Sequence, residues 1–339
     1  MSGVSKVLFV TKSDFGLRVG GVQIQIEATR RVLAEQGVQV ALYNPWIDSL
    51  DGVDICHIFT LAPDLYSFAS AARHRSIPVV VSPIFNFPSP AWQMRLKSKF
   101  LSRMPGVYTD LRQARRMLEL AAAVLPLSAV ELQRLGSIYD VPRGKMEVVP
   151  NGVDQRFFAA SPALFVEKFG FKPDVLFVGR LDNNKNVLGL LSALKGSGLK
   201  TAVIGSAFSE EPQVFQELLR QTGPEVTYVG GVTHADPILA SAYAAAKVFC
   251  LPSFKEVMPL TALEAAMAGA RVVVTRNSGT RDVLGDDAWY VNPADNGEIL
   301  AKIQAALAAG SNQPLRQRLL DGYSWEKIGA RIVNIYQRL

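Results

Sequence analysis

The chain has 339 residues, 49% of them hydrophobic, and a formal net charge of +6 at pH 7. This length exceeds one typical domain and suits two, each able to bury its own core. No apolar run reaches the roughly 18 residues of a membrane-spanning helix, and the first residues show no signal-peptide pattern. Cys56 and Cys250 each lie in a predicted buried strand, which favours reduced core thiols and a cytoplasmic location.

Short apolar strands alternate with helical patterns from one end of the chain to the other. The predicted strands of the first half are 6–10, 38–43, 54–58, 78–82, 123–127 and 146–149. Those of the second half are 174–178, 200–204, 226–229, 247–251, 271–275 and 288–291. Continuous apolar strands joined by helical crossovers predict parallel sheets that are covered on both faces. The predicted fold class is α/β, with two doubly wound, Rossmann-like domains facing each other across a cleft.

A loop of small and polar residues follows the first strand and ends in Gly20-Gly21, before a helix predicted over 22–36. Gly37 is the expected C-cap of that helix. Glycines at this place let a ligand approach the backbone, and the free N–H groups of a helix start favour anions. An ordinary turn and a ligand contact both remain open for these two glycines.

The stretch 92–116 carries seven basic residues and one acidic residue, Asp110. At helical spacing, its apolar residues fall on one side and most basic residues of its first part fall on another. The pattern fits a helix lying on an anionic membrane surface. It also fits a surface helix with its apolar stripe in the core. The residues concerned are Trp92, Leu96, Phe100 and Met104 on one side, and Arg95, Lys99 and Arg103 on the other.

The second half opens with VGRLDNNKN over 178–186. Arg180 lies at the carboxyl end of the predicted strand, and Lys185 lies at the start of the next predicted helix. Two fixed cations at such a position suit a diphosphate. A surface arginine and a solvated lysine are the alternative that these residues leave open.

The stretch 251–275 joins a strand end, a Pro-Ser turn, an acidic residue, a helix that ends at Gly269, and a β-branched strand. Glu256 precedes the helix, and Glu264 lies two turns inside it. Both carboxylates therefore fall near the open mouth of a strand-turn-helix unit, where α/β proteins bind ligands. The alternative is an ordinary buried helix with two solvated glutamates.

This stretch closely resembles the E-x7-E signature of retaining, nucleotide-sugar-dependent glycosyltransferases of the GT-B fold, specifically glycosyltransferase family 4. Three further segments resemble the same family. They are the GRL-x3-K pattern that starts at Gly179, VVPNGVDQRFF at 148–158, and YVGGVTHADPILASAYAAAKVFCLPS at 228–253. The resemblance is strong from Val148 to Val291 and loose before it.

The resemblance implies an acceptor-side domain over 1–158, a donor-binding domain over 159–321, and a helix at 322–339 that returns to the first domain. It also implies a role for each candidate residue. Arg180 and Lys185 would clamp the donor diphosphate, Glu256 would hold hydroxyls of the transferred sugar, and Glu264 would hold the ribose hydroxyls. The expected donor-binding set is Gly20, Gly21, Arg180, Lys185, Gly230, Val232, Glu256, Met258, Pro259, Leu260 and Glu264.

The chain departs from the family pattern at two places. Pro259 has no N–H where many members have a Gly-Phe-Gly-like run, so the amides of Met258 and Leu260 would have to contact phosphate. Members also often carry a histidine after the strand at 78–82. This chain has Asn86 there as an acceptor-side candidate. His57 at the end of an earlier strand is either a packed residue or a catalytic, acceptor-side one.

The implied activity is transfer of a sugar from a nucleotide sugar to a hydroxyl acceptor, such as a glycan or a lipid-linked acceptor. The sequence has no D-x-D tripeptide, and its histidines, His57, His74 and His234, are not clustered. We therefore expect metal-independent chemistry, no cofactor beyond the nucleotide sugar, no nucleic-acid partner, and a cytoplasmic protein that could bind peripherally to the membrane. The alternatives are a non-hydrolysing nucleotide-sugar epimerase and a non-catalytic binding protein.

Overall fold

A computed structural model of the protein describes residues 4–12, 20–44, 46–85, 91–102, 109–207, 211–310 and 312–339; the side chains of 91 and 99–102 lie outside this description. The chain divides into two compact units. The first comprises Met1–Asn151 with Trp325–Leu339, and the second comprises Gly152–Ser324. The sequence-based boundaries stand at 158/159 and 321/322. Within the described part of the chain, no helix is long and apolar enough to cross a lipid bilayer.

The first unit is built on a parallel five-stranded sheet of order β2-β1-β3-β4-β5. Its strands are β1 (Lys6–Val10), β2 (Gln39–Leu42), β3 (Ile55–Phe59), β4 (Val79–Ser82) and β5 (Ala123–Val124). Its helices are α1 (Gly21–Glu35), α2 (Tyr66–His74), α3 (Ala91–Ser102), α4 (Asp110–Leu120) and α5 (Ala129–Tyr139). The residues of β3 and β4 are all buried, as expected for strands covered on both faces.

The strand predicted over 146–149 is wrong, because in the described chain only Met146 bridges to Val124. The N–H of Glu147 donates to the carbonyl of Val124. A parallel ladder would continue with a return donor at residue 126, but Pro126 has no N–H. The segment therefore lies beside β5 without extending the sheet.

Of the two alternatives for the apolar stripe of α3, the structure contradicts the core-facing one, because Trp92 and Leu96 face outward. Met94 and Ser98 are buried, whereas Trp92 and Leu96 are 64% and 61% exposed. The helix packs on α4 and α5 through the turns that carry the buried pair. A core-facing stripe through Trp92 and Leu96 is therefore wrong. The remaining residues of that predicted pattern lie outside the described side chains: Lys99, Phe100, Arg103 and Met104.

The second unit is built on a parallel six-stranded sheet of order β11-β10-β9-β6-β7-β8. Its strands are β6 (Val175–Val178), β7 (Thr201–Ile204), β8 (Val226–Gly230), β9 (Val248–Leu251), β10 (Arg271–Thr275) and β11 (Ala288–Val291). Its helices are α6 (Ala163–Phe169), α7 (Val187–Leu194), α8 (Pro212–Gln221), α9 (Pro237–Ala245), α10 (Leu260–Ala268), α11 (Arg281–Leu284), α12 (Asn296–Ala308) and α13 (Gln313–Tyr323). Two parallel α/β sheets confirm the predicted fold class.

The last helix, α14 (Trp325–Tyr336), belongs to the first unit, where it packs on α1. Its contact with α1 is close at Gly329, since a Cβ added there would lie 2.7 Å from Cγ2 of Val32. The buried residues of α14 recur at the spacing of an amphipathic helix. They are Trp325, Ile328, Gly329, Ile332, Ile335 and Tyr336.

Candidate functional site

The loop after β6 holds the two predicted cations through one buried carboxylate, that of Asp182. Nη2 of Arg180 lies 2.9 Å from Oδ2 of Asp182, and Oδ1 accepts the N–H of Lys185 at 2.7 Å. Because Asp182 is buried, it fixes the loop and leaves the Arg180 side chain half exposed. Asp182 is absent from the predicted set, although its place between two candidate cations could have suggested such a bridge.

Lys185 forms an ion pair with Glu256. The cation predicted after β6 and the carboxylate predicted before α10 therefore lie in contact. Their side chains are 19% and 10% exposed, respectively. Hydrogen bonds between the loops after β6 and β9 hold Lys185 and Glu256 next to each other. The N–H of Phe254 donates to the carbonyl of Asn184 at 2.8 Å, and the amide of Asn186 donates to the carbonyl of Pro252 at 3.1 Å. The arrangement presents fixed positive charge beside a carboxylate.

Helix α10 begins directly after Pro259 and ends at Gly269, as the sequence predicts. Gly269 has φ +108, a left-handed conformation that glycine adopts readily. The N-cap Pro259 makes no side-chain capping hydrogen bond. The start of α10 follows Glu256 by four residues, and the positive end of a helix dipole suits an anionic ligand. Met258 and Leu260, the predicted amide donors, have buried side chains.

Glu264 lies in a separate network within the same unit. Its Oε1 lies 2.7 Å from Nε2 of His234, and its Oε2 accepts the hydroxyl of Tyr243 at 3.1 Å. Burial and the neighbouring Glu264 carboxylate raise the pKa of Tyr243 well above its usual value, so that hydroxyl stays a donor. Arg156 completes the network through the carbonyl and ring of His234. His234, Tyr243 and Arg156 are absent from the predicted set because each lies at least 21 residues from its partner.

The glycine turn after β8 is packed closely against the loop after β7. A Cβ added at Gly231 would lie 2.2 Å from Oγ of Ser206, so no larger residue fits without a shift. Gly230 has φ +102 and is half-buried, as is Val232. The predicted contact of this turn with a nucleotide base stays a prediction.

Gly20 and Gly21 lie at the start of α1 in the first unit. Gly20 is the N-cap and has no side chain with which to cap the helix. Among the described residues, a Cβ added at Gly20 would meet nothing within 4 Å. Their predicted role in donor binding stays a prediction. Asn86, the acceptor-side candidate, lies outside the described residues.

His57 is fully buried in the first unit, with both ring nitrogens engaged. Nδ1 lies 2.6 Å from the hydroxyl of Tyr336 on α14, and Nε2 lies 2.8 Å from Oγ of Ser82. Burial lowers the pKa of His57 to about 3, which keeps the ring neutral. This geometry favours the packed-residue alternative over a group that meets an acceptor.

Glu131 is a second buried polar residue at the carboxyl ends of the first sheet. It follows the N-cap Ser128 of α5 and accepts the N–H groups of Phe85 at 2.8 Å and Leu127 at 2.7 Å. Burial raises the pKa of Glu131 to about 7, although the two backbone donors act in the opposite direction. The carboxylate thus links the segments that follow β4 and β5.

Within the described ranges, no group of three or more His, Cys, Asp or Glu side chains is arranged to hold a metal ion. Arg180, Lys185, Glu256 and the start of α10 contribute charge at this place. Two doubly wound units, with this pairing of cations and a carboxylate at the carboxyl ends of parallel strands, are the features of a GT-B glycosyltransferase.

Family models identify the class further. A model of Glycosyltransferase Family 4 matches residues 44–157, and one of Glycosyl transferases group 1 matches residues 172–309. The chain belongs to glycosyltransferase family 4, as the resemblance implies.

Known proteins agree with this assignment. The chain is 25% identical over 269 residues to an uncharacterized glycosyltransferase of Methanocaldococcus jannaschii, covering 71% of this chain and 68% of that protein. It is 25% identical to the O-antigen chain mannosyltransferase B of Escherichia coli, covering 66% of this chain and 62% of that protein. The chain thus spans less than two thirds of the length of the Escherichia coli relative.

Solved structures share the fold. The structure of Anabaena HepE in complex with UDP aligns with a TM-score of 0.77 at 16% identity, covering 98% of this chain and all of that chain. At this identity, the likeness establishes the fold alone.

Proposed function

We propose that the protein transfers a sugar from a nucleotide-sugar donor to a hydroxyl acceptor, with retention of configuration and without a metal ion. The observation that carries the proposal is the meeting of Lys185 and Glu256 beside Arg180, at the carboxyl ends of β6 and β9. Lys185 and Arg180 would bind the donor diphosphate. Glu256 would accept hydrogen bonds from hydroxyls of the transferred sugar, since a carboxylate can accept several at once.

In the proposed step, the bond between the anomeric carbon and the leaving phosphate oxygen breaks, and its electron pair stays on the phosphate. The acceptor hydroxyl attacks from the same face, and its proton passes to a leaving-phosphate oxygen. The diphosphate gains negative charge as the bond breaks, so Arg180 and Lys185 stabilise the transition state more than the ground state. The fixed cations supply the charge that a metal ion supplies in other transferases.

The donor is proposed to be a nucleoside diphosphate sugar. The Anabaena protein of the same fold is described in complexes with UDP, with UDP and glucose, and with UDP-glucose. The Escherichia coli relative is named as an O-antigen chain mannosyltransferase, which supports a glycan or lipid-linked glycan as the acceptor class. A nucleic-acid partner forms no part of the proposal.

A donor screen tests the proposal. The full chain is incubated with UDP, GDP and ADP sugars, with and without EDTA, and release of the nucleoside diphosphate is measured. We expect slow hydrolysis of one donor without acceptor, unchanged by EDTA, and faster release when a matching glycan acceptor is added. Formation of an epimeric nucleotide sugar would instead identify an epimerase. Binding of a donor without turnover against any acceptor would identify a binding protein.

We also propose that α3 docks on an anionic lipid surface, which would make the protein a peripheral, cytoplasmic-face enzyme. Trp92 and Leu96 are exposed on this helix together with the basic Arg95 and Lys97. Aromatic and aliphatic side chains beside cations are the combination that binds an anionic interface.

Vesicle sedimentation tests this docking. Vesicles of phosphatidylcholine with and without phosphatidylglycerol are mixed with the wild type and with a Trp92→Ser/Leu96→Ser variant. We expect binding only to the anionic vesicles, reduced about tenfold or more in the variant and reduced by salt. Leu164→Ser, which removes an exposed apolar residue of the second unit, is the control. Equal binding of all three proteins would refute the docking.

A further inference from the structure

The carboxylate of Glu264 is held on both of its oxygens by neighbouring side chains. His234 Nε2 lies 2.7 Å from one oxygen, and the Tyr243 hydroxyl lies 3.1 Å from the other. Glu264 is 4% exposed and His234 is 27% exposed, so the pair lies at the edge of the buried region. A carboxylate has about four acceptor positions, and these two contacts occupy two of them.

His234 is itself held in one orientation by Arg156. Nη2 of Arg156 donates to the carbonyl of His234 and lies 3.2 Å from Nδ1 and 3.4 Å from Nε2 of its ring. Because an ionised carboxylate can only accept, the 2.7 Å contact with Glu264 requires a ring proton on Nε2. That proton points at Glu264. Arg156 thus holds the His234 backbone, and Nε2 of His234 donates to the Glu264 carboxylate.

Phe157 packs against the side chains of His234, Tyr243 and Arg156. It is fully buried, its ring centroid lies 5.9 Å from that of His234 and 5.7 Å from that of Tyr243, and Arg156 stacks over its ring at 4.7 Å. Asp154 supports the same turn by accepting the N–H of Arg156 at 3.0 Å. The VDQRF segment thus supplies both the donor and the packing that orient His234.

We infer that His234 is a positioning residue, which with Arg156 and Tyr243 aims the Glu264 carboxylate at the ribose hydroxyls of the donor. This inference rests on the proposed function, because it assigns the nucleoside end of the same donor. Without the His234 proton, the carboxylate keeps only Tyr243 and can rotate about its terminal torsion. The other two acceptor positions of the carboxylate then no longer meet both hydroxyls.

The test compares ribose-dependent binding in three proteins. UDP, GDP and ADP are titrated calorimetrically into the wild type, His234→Ala and His234→Gln, and the tightest ligand is repeated as its 2′,3′-dideoxy form. We expect the wild type to prefer the ribose form by about tenfold or more, a charge-assisted hydrogen-bond effect. His234→Ala should lose most of that preference. His234→Gln, whose amide can still donate, should keep it within about threefold.

Turnover and controls separate positioning from folding. In donor turnover, His234→Ala should raise KM about tenfold with kcat changed less than about threefold. Tyr243→Phe removes the other donor and should also reduce the ribose preference. His74→Ala, at an exposed histidine of the first unit, should match the wild type. A ribose preference that is unchanged in both His234→Ala and Tyr243→Phe would overturn the inference while leaving the proposed function intact. A wild type that binds no nucleotide would overturn both.

Discussion

Replacing Lys185 by alanine removes a cation that is largely buried against Glu256. If Lys185 binds the donor diphosphate, a charge-assisted hydrogen bond of about 1.5–3 kcal/mol disappears from the complex. Binding of the nucleoside diphosphate should therefore weaken by about 10- to 100-fold. The leaving group gains charge in the transition state, so kcat should fall further, by about 10²- to 10³-fold.

The structure adds a second consequence, because Glu256 keeps its charge when Lys185 is removed. Its carboxylate is then nearly buried, without its cation, and close to the place proposed for a dianionic ligand. Removing that charge as well, in Lys185→Ala/Glu256→Gln, should recover part of the lost diphosphate affinity. We expect a coupling of about 0.5–3 kcal/mol between the two positions. Glu256→Gln alone should impair binding of the nucleotide sugar more than binding of the nucleoside diphosphate.

The wild type, Lys185→Ala, Glu256→Gln and the double variant are titrated calorimetrically with UDP, GDP and ADP and with the corresponding nucleotide sugars. The affinities give the loss in each variant and the coupling between the two positions. Lys195→Ala is the matched control, since it removes one exposed lysine from the same unit and changes the net charge equally. Circular dichroism establishes that each variant is folded. Wild-type affinity for the nucleoside diphosphate in Lys185→Ala would refute the clamp. Strictly additive effects of the two substitutions would refute the coupling through the ion pair.

Three further predictions concern stability, read from hydrogen exchange of the sheet amides in the affected unit. The pKa of His57 is depressed, so the unfolded chain binds a proton that the folded one does not. The wild type should lose about 2 kcal/mol relative to His57→Gln between pH 8 and pH 5. The pKa of Glu131 is raised, so the wild type should instead lose about 2 kcal/mol relative to Glu131→Gln as the pH rises from 5 to 7. If the stability of the wild type and of His57→Gln, or of the wild type and of Glu131→Gln, changed in parallel with pH, the shifted pKa of that residue would be contradicted. At Gly205 an added Cβ would lie 1.9 Å from the carbonyl oxygen of Gly179, so Gly205→Ala should destabilise the second unit by about 1–3 kcal/mol. Gly223→Ala, where nothing lies within 4 Å, should not, and equal stability of the two variants would refute the steric argument.

Several elements follow from the sequence because their determinants are local. The strands at 6–10, 271–275 and 288–291 have the predicted bounds, since a run of apolar and β-branched residues specifies a buried parallel strand by itself. Helix α10 ends at Gly269 for an equally local reason. The spacing of Glu256 and Glu264, together with the three further segments that resemble the family, identifies the family from the sequence.

Local patterns failed where one residue in a distant segment decided the outcome. The segment at 146–149 has the composition of a strand, but Pro126 on its neighbour cannot donate the return hydrogen bond. Trp92 and Leu96 show the period of a buried helix face, but α3 packs on its neighbours through Met94 and Ser98. A hydrophobic period in the sequence indicates an amphipathic helix. Which face of that helix is buried depends on the elements that pack against it.

The chain by itself determined two parallel α/β units, the glycosyltransferase family, and candidate residues whose charges suit the proposed donor. Only the tertiary structure decided which side chains those residues meet. His57 is joined to Tyr336 across 279 positions, and Glu264 is joined to His234 across 30. Strand and helix periods are set by near neighbours. Hydrogen bonds between side chains depend on how the elements pack, and that packing brings residues from distant parts of the chain within 3 Å of each other.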